Sequence, residues 1–145
     1  MARFTGILIH RNAADQLAGV LPAWLAQPGL ERLIVVDNGS TEAELVALRA
    51  TVANHDEVEL LETRENLGFG PGGNVGLRHW LANDDTEWAA LAPHDALPAA
   101  DCLTLMGEAL ARRPRAALAC ADVGDGTIPV MDPYFGGLVM EPEKR

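Results

Sequence analysis

The sequence of 145 residues is poor in basic residues, in aromatic residues and in cysteine. Its 11 basic residues, with Lys144 as the single lysine, face 21 acidic ones, so the formal net charge is −10. A chain with this charge has no broad basic surface to neutralise a phosphate backbone, which excludes nucleic acid as a partner. Cys102 and Cys120 lack the spacing of a metal site, and we interpret both as reduced core thiols.

Long apolar runs are also missing, so no segment has the length of a membrane span. The short apolar stretch after Met1 lacks the cleavage pattern of a signal peptide. We therefore expect a cytoplasmic protein, either free or peripheral at the inner face of the membrane. The hydrophobic fraction of 48% is enough for the core of one compact domain. An acidic protein that binds a phosphorylated small molecule needs a local device, such as a divalent cation or backbone N–H groups.

Apolar runs suited to buried strands alternate with helical segments along most of the chain. Strands that alternate with helices indicate an α/β fold, with a mainly parallel, Rossmann-like sheet covered by helices on both faces. Asn12 is expected to cap the first helix and Pro114 to end the last one. The predicted strands are 4–9, 32–36, 58–61, 88–91 and 116–121, and the predicted helices are one between Asn12 and Pro28, then 42–52, 72–81 and 98–112.

Polar residues follow four of the predicted strands, at 10–12, 37–40, 64–66 and 94–95. In open parallel sheets, ligands bind beyond the carboxyl ends of the strands. We therefore expect the functional site where these four polar segments meet.

The glycines of segment 68–73 (GFGPGG) satisfy the spacing G-x-G-x-x-G, which follows the first strand in dinucleotide-binding proteins. Here the motif follows the third strand, and the acidic residue Asp37 precedes it. Pro71 also removes a backbone N–H group that a helix terminus would offer to a pyrophosphate. An NAD-dependent α/β dehydrogenase is therefore a weak alternative. A purely structural role is a better interpretation of the motif, in which the glycines only permit a tight loop and close packing of a helix on the sheet.

Three motifs in order resemble the sequences of family-2 glycosyltransferases, in particular the rhamnosyltransferase-like branch. They are 35–41 (VVDNGST), 65–69 (ENLGF) and 72–77 (GGNVGL). The resemblance implies a GT-A fold and an inverting enzyme of cell-surface polysaccharide biosynthesis. Such an enzyme transfers a hexosyl or deoxyhexosyl group from a nucleotide-diphosphate sugar to a saccharide, a lipid-linked acceptor or another hydroxyl. The chain corresponds to the N-terminal, nucleotide-sugar-binding half.

The resemblance also implies site residues. Asp37 is interpreted as the residue that recognises the base or ribose, and an Asx turn that caps the next helix is its structural alternative. Asn66, Gly68 and Asn74 are expected to form the loop over the base of the nucleotide. The alternative is that they only form the N-terminal end of the next helix. The nucleotide-sugar-binding residues implied are His10, Asn12, Asp37, Asn38, Asn66, Gly68, Asn74 and Asp95.

Segment 91–96 (LAPHDA) lies where the family carries an Asp-x-Asp metal motif. Asp95 matches its last aspartate and is the expected ligand of Mg²⁺ or Mn²⁺, which would bind the diphosphate of the donor. Pro93 replaces the first aspartate, and His94 is interpreted as a solvated loop side chain because imidazole suits Mg²⁺ poorly. Arg11 or Arg64 is the alternative partner of the phosphates. Either residue is as well explained as an ordinary surface arginine.

Residues 1–121 are expected to form the nucleotide-sugar-binding domain, and 122–145 the start of a truncated acceptor-side region. Segment 134–138 (YFGGL) resembles the start of that region, and no motif that carries a general base is recognisable. The catalytic residues therefore stay unassigned, and we expect the chain alone to be inactive. A noncatalytic nucleotide-sugar-binding module of the same fold is the alternative. An uncovered edge of the sheet would favour self-association.

Overall fold

The computed structural model describes residues 1–122 completely and the backbone of two strands within 123–145. The chain divides into two compact units, residues 1–112 and residues 113–145. The division of function predicted near residue 121 stays a prediction. The first unit contains β1 (Phe4–His10), α1 (Ala14–Leu25), β2 (Leu30–Asp37), α2 (Glu42–Val52), β3 (Val58–Glu62), α3 (Phe69–Asn83), β4 (Trp88–Pro93) and α4 (Cys102–Ala111).

The four strands of the first unit form one parallel sheet in the order β3-β2-β1-β4. Strand β1 and the part of β2 from Leu33 onward are buried on both faces, which explains why they appear in the sequence as largely apolar runs. The prediction of an α/β fold with a parallel sheet is confirmed. In the second unit, β5 (Thr127–Met131) and β6 (Leu138–Pro142) form an antiparallel pair.

Alternate residues of the central strands pack against helices on opposite faces. Leu8 and Val35 belong to a core cluster shared with α1 and α2, in which Leu17 and Leu48 are completely buried. On the other face, α3 packs closely because Gly76 lacks a side chain: a Cβ there would lie 2.5 Å from a methyl carbon of Ile7. The core therefore has two layers, one on each side of the sheet.

Three predicted helix starts or caps are wrong. The residue before α1 is Ala13, not Asn12, and Asn12 has φ 50°, outside the helical region. Helix α3 begins at Phe69, three residues before its predicted start, because Pro71 is compatible with a first turn. Helix α4 begins at Cys102 instead of residue 98.

The fifth predicted strand, 116–121, has no regular secondary structure. Four of its six residues are alanine, a poor strand former, and Leu118 is 89% exposed. Cys120 within it is exposed, so its interpretation as a core thiol is also wrong, whereas both cysteines are free as expected. Among the described residues, no helix has the length and apolarity needed to cross a membrane. The predicted acceptor-side segment 134–138 lies outside the described residues except for its last position.

Candidate functional site

The ends of β1 and β2 bring His10 and Asp37 together. The two residues are paired in the register of the parallel strands, and both side chains are buried, with at most 2% exposure. The Nδ1 atom of His10 lies 3.3 Å from Oδ1 of Asp37. The sequence predicted both as site residues, and the structure makes them direct neighbours.

A second contact decides which ring nitrogen of His10 carries the proton. The backbone N–H of Ala13 donates to Nε2 of His10 over 3.3 Å, so Nε2 must be unprotonated and Nδ1–H donates to Asp37. Burial lowers the pKa of His10, the nearby His94 lowers it further, and the hydrogen bond to Asp37 opposes the change. The imidazole is therefore neutral at pH 7.

Both carboxylate oxygens of Asp37 have partners within the protein. Oδ1 accepts a short hydrogen bond from the Ser40 hydroxyl in addition to the bond from His10. Oδ2 accepts from the backbone N–H of Ser40 over 3.2 Å. The aspartate at the start of the turn after β2 thus organises that turn through its bonds to the residue three positions on.

The loop after β1 is tied to the loop after β2 by Asn12. Its backbone N–H donates to the hydroxyl oxygen of Ser40 over 2.9 Å, and its side-chain Oδ1 accepts from the backbone N–H of Thr41 over 2.8 Å. Arg11 adds a weaker contact, from Nε to the carbonyl oxygen of Gly39 at 3.4 Å. Asn12 therefore serves the start of α2, where Thr41 is the capping residue, and not the start of α1.

A third loop, between β3 and α3, is held by Asn38. The Nδ2 group of this buried amide donates to Oδ1 of Asn66 at 3.3 Å and to the carbonyl oxygen of Gly68 at 3.1 Å. Its Oδ1 accepts from the backbone N–H of Leu67 at 2.9 Å. Asn38, Asn66 and Gly68 are thus direct neighbours, and their role in binding a nucleotide stays a prediction. Asn74 lies apart from them, exposed on α3, with no polar partner among residues 1–122.

At the end of β4, the ring of His94 packs edge-on against that of His10, with 5.1 Å between the ring centroids. Its Nδ1 lies 3.2 Å from the carbonyl oxygen of Ile9, and its Nε2 lies 3.2 Å from Oε1 of Gln16. A neutral ring has one N–H group and so donates to one of these two oxygens, and the side chain is half-buried, which makes His94 more enclosed than a solvated loop residue. Asp95 follows it and is exposed.

The described residues do not form a metal site by themselves. Within residues 1–122, no group of three or more His, Cys, Asp or Glu side chains could hold an ion. One exposed carboxylate, Asp95, matches the chemistry of Mg²⁺ or Mn²⁺ only if the ligand's phosphates complete the coordination shell. The donor set therefore fits an ion shared with a diphosphate and does not fit a permanent protein-bound metal.

Ser40 is the residue of this cluster that sequence reasoning did not single out. Its hydroxyl contacts Asp37 and Asn12 at once, so it joins the loops after β1 and β2. The available signal was a hydroxyl residue three positions after an aspartate in a turn. A separate depression of about 470 Å³ lies at the amino-terminal end of the sheet, beside Met1, Glu87 and Leu103, and contains none of the predicted site residues.

Comparisons with known proteins agree with this architecture. The sequence profile described as Glycosyl transferase family 2 matches residues 6–133. The chain is similar to the structure "Mannosyltransferase PcManGT from Pyrobaculum calidifontis in complex with GDP-Man and Mn2+", with 29% identity and a TM-score of 0.64 over 75% of this chain and 32% of that chain. A search of curated protein sequences found no match.

Two structures of TarS from S. aureus share the fold at lower identity. One is 18% identical, with a TM-score of 0.60 over 76% of this chain and 20% of that chain. The other is 17% identical, with a TM-score of 0.61 over 88% of this chain and 41% of that chain. The chain thus spans less than half the length of each of these three neighbours.

Proposed function

The chain belongs to glycosyl transferase family 2, and from this premise we propose that it is the donor-binding domain of an enzyme that transfers a sugar from a nucleotide-diphosphate sugar to a hydroxyl acceptor. The observation that carries the proposal is the meeting of three interlocked loops at the carboxyl edge of the sheet, with His10, Asp37 and Asn38 at its base. This edge is where open α/β sheets bind ligands. The similar mannosyltransferase structure contains GDP-Man, which supports a nucleotide sugar as the ligand.

Beside the exposed carboxylates of Glu65 and Asp95, this edge offers several hydrogen-bond donors. Asn12 and Asn66 are exposed, and each has its Oδ1 engaged by backbone N–H groups, which leaves the Nδ2 group without a partner in the described chain. Arg11 and Arg64 are also exposed, after β1 and before α3. Phosphate oxygens and base carbonyls are acceptors, so a nucleoside diphosphate complements this surface in spite of the net charge of −10.

Asp95 is the residue we propose as the ligand of Mg²⁺ or Mn²⁺ shared with the diphosphate. A bound cation would offset the charge that develops on the leaving diphosphate. The chain's own contribution is to orient the nucleotide with the loops after β1, β2 and β3. Asn74 extends the proposed donor site along α3.

The finer description follows the sequence resemblance. We propose an inverting hexosyl- or deoxyhexosyltransferase of the rhamnosyltransferase-like branch, with a saccharide or lipid-linked acceptor in cell-surface polysaccharide biosynthesis. Its proposed place is the cytoplasm or the inner face of the membrane. Residues 1–121 would form the donor domain and 122–145 the start of the acceptor side, and the edge strands of the sheet offer a surface for self-association.

A ligand screen by thermal shift tests the proposal. UDP-, GDP- and dTDP-sugars are compared with NAD, each with Mn²⁺ and with chelator. We expect one nucleotide-sugar class to raise the melting temperature and NAD to leave it unchanged, because binding to the native state alone stabilises it. Stabilisation by NAD and by no nucleotide sugar would support the dehydrogenase alternative.

A transfer assay separates the donor domain from a complete enzyme. We expect residues 1–145 alone to glycosylate no acceptor above the rate of buffer hydrolysis, because no general base is recognisable in them. Mass spectrometry of the acceptor measures this directly. Activity of a longer gene product would distinguish a donor domain from a noncatalytic binding module.

A further inference from the structure

The polar contacts around Asp37 form a network in which each hydrogen bond has a defined donor and acceptor. His10 Nδ1–H, Ser40 Oγ–H and Ser40 N–H all donate to the Asp37 carboxylate. Asn12 N–H donates to Ser40 Oγ, and Ala13 N–H donates to His10 Nε2. The N–H of Ala13 occupies the one acceptor nitrogen of neutral His10, so the ring offers Asp37 only its Nδ1–H, and the backbone of Ser40 offers only its N–H.

Only a side chain with two hydrogen-bond-accepting oxygens satisfies this pattern. An asparagine at position 37 would place its NH₂ group against the Nδ1–H of His10, or, after a flip, against the backbone N–H of Ser40. His10 cannot relieve the first conflict by changing tautomer, because its Nε2–H would then face the N–H of Ala13. A carboxylate is therefore required in this 1%-exposed position even without any ligand.

We propose that Asp37 is a positioning residue for the donor site, one that holds the loops after β1 and β2 through His10 and Ser40 and does not itself contact the nucleotide. The proposal rests on the proposed function and gives one of its predicted residues a different task. The network keeps Asn12 at φ 50°, a sparsely populated conformation that persists only when the surroundings hold it. In that conformation Asn12 and Arg11 lie against residues 39–41, beside the loop that carries Asn66.

The tautomer of His10 tests the network without any ligand. Nitrogen-15 NMR of the imidazole should show the neutral form protonated on Nδ1 at pH 7, and the amide of Asn12 should be protected from hydrogen exchange. Asp37→Asn and Ser40→Ala should each lose the protection of the Asn12 amide, and Ser40→Thr, which keeps the hydroxyl, should restore it. Thr51→Ala removes a hydroxyl bond to the carbonyl of Ala47 elsewhere on α2 and should change neither signal.

Calorimetric titration with the best nucleotide sugar supplies the second readout. We expect Ser40→Ala to weaken binding about tenfold, as one lost charge-assisted hydrogen bond would, and Ser40→Thr to bind like the wild type. The proposal is overturned if His10 is protonated on Nε2 or is charged at pH 7. It is also overturned if Asp37→Asn loses binding while the His10 and Asn12 signals are unchanged, since Asp37 would then contact the nucleotide directly. If the wild type binds no nucleotide sugar, the proposed function fails, whereas the His10 and Asn12 signals still decide the network.

Discussion

Gly39 lies against the backbone of the following loop, so closely that a Cβ at position 39 would lie 2.5 Å from the amide nitrogen of Asn66. Its φ of +75° belongs to the left-handed region that other residues rarely adopt. Gly39→Ala should therefore lower the free energy of unfolding by about 2–4 kcal/mol, because both the conformation and the space are unfavourable. Urea unfolding followed by circular dichroism measures the change.

Gly19 is the matched control for this prediction. It is exposed in α1, and nothing lies within 4 Å of a Cβ at that position. Gly19→Ala should raise the free energy of unfolding by about 0.5–1 kcal/mol, because alanine favours the helix. Equal effects of the two substitutions would show that the loops after β2 and β3 are not in contact.

The neutral state of His10 predicts a pH dependence of stability. Its pKa is lowered in the native protein, whereas in the unfolded chain it should be about 6.5. The unfolded chain therefore binds the proton first, and the free energy of unfolding should fall as the pH decreases from about 6.5 toward the lowered native pKa. Above that range His10 makes no pH-dependent contribution.

Urea unfolding at a series of pH values from about 5 to 7.5 tests this window. His10→Gln should reduce the slope of stability against pH within it. Thr51→Ala, which removes no titratable group, should leave the slope as it is in the wild type. A slope that is the same in all three proteins would mean that His10 does not carry the effect.

An amide and a carboxylate at position 38 should differ in their effect on the stability of the protein. Its Nδ2 group donates to Asn66 Oδ1 and to the carbonyl of Gly68, so Asn38→Asp would put a buried carboxylate oxygen against two acceptors. We expect a loss of about 1–3 kcal/mol in stability, the cost of leaving buried polar groups unpaired. The control is Asn83→Asp at the exposed end of α3, which loses a similar bond, from Nδ2 to the carbonyl oxygen of His79. Because water can replace the lost partner there, this substitution should change stability much less. Equal losses would argue against the buried contact.

The fold was predictable from the sequence because its strongest signals are local. β1 and the part of β2 from Leu33 onward are buried on both faces and therefore appear as largely apolar runs, and Thr41 marks the start of α2 by its position before a helical pattern. The meeting of the polar loops at one edge was predictable because parallel strands place their carboxyl ends together.

The features that the sequence did not predict depend on contacts between distant segments. Asn12 has the local signature of a helix cap, but its side chain bonds the N–H of Thr41 in another loop. Segment 116–121 is a continuous apolar run, but an apolar run forms a strand only where it finds a partner. Ser40 gains its role from the simultaneous presence of Asp37 and Asn12, which no single turn pattern reveals.

The incomplete metal motif predicts a coupling between metal and nucleotide. A lone carboxylate at Asp95 should bind free Mn²⁺ weakly but bind it well when a diphosphate completes the shell. Mn²⁺ should therefore tighten nucleotide-diphosphate binding in the wild type, and Asp95→Asn should remove the tightening while the metal-free affinity stays nearly unchanged. Calorimetric titrations with Mn²⁺ and with chelator measure the coupling. Equal wild-type affinities in the two conditions would favour phosphate binding by Arg11 or Arg64 instead.

The position of the bound nucleotide sugar tests the central claim most directly. Backbone amide NMR signals of the chain are followed during titration with the nucleotide sugar that gives the largest thermal shift. We predict saturable changes in the loops after β1, β2 and β3, at residues 11–13, 38–41 and 64–68, and at Asp95. The absence of saturation with every nucleotide sugar, or changes confined to the opposite end of the sheet around Met1, Glu87 and Leu103, would contradict a donor site at the carboxyl edge.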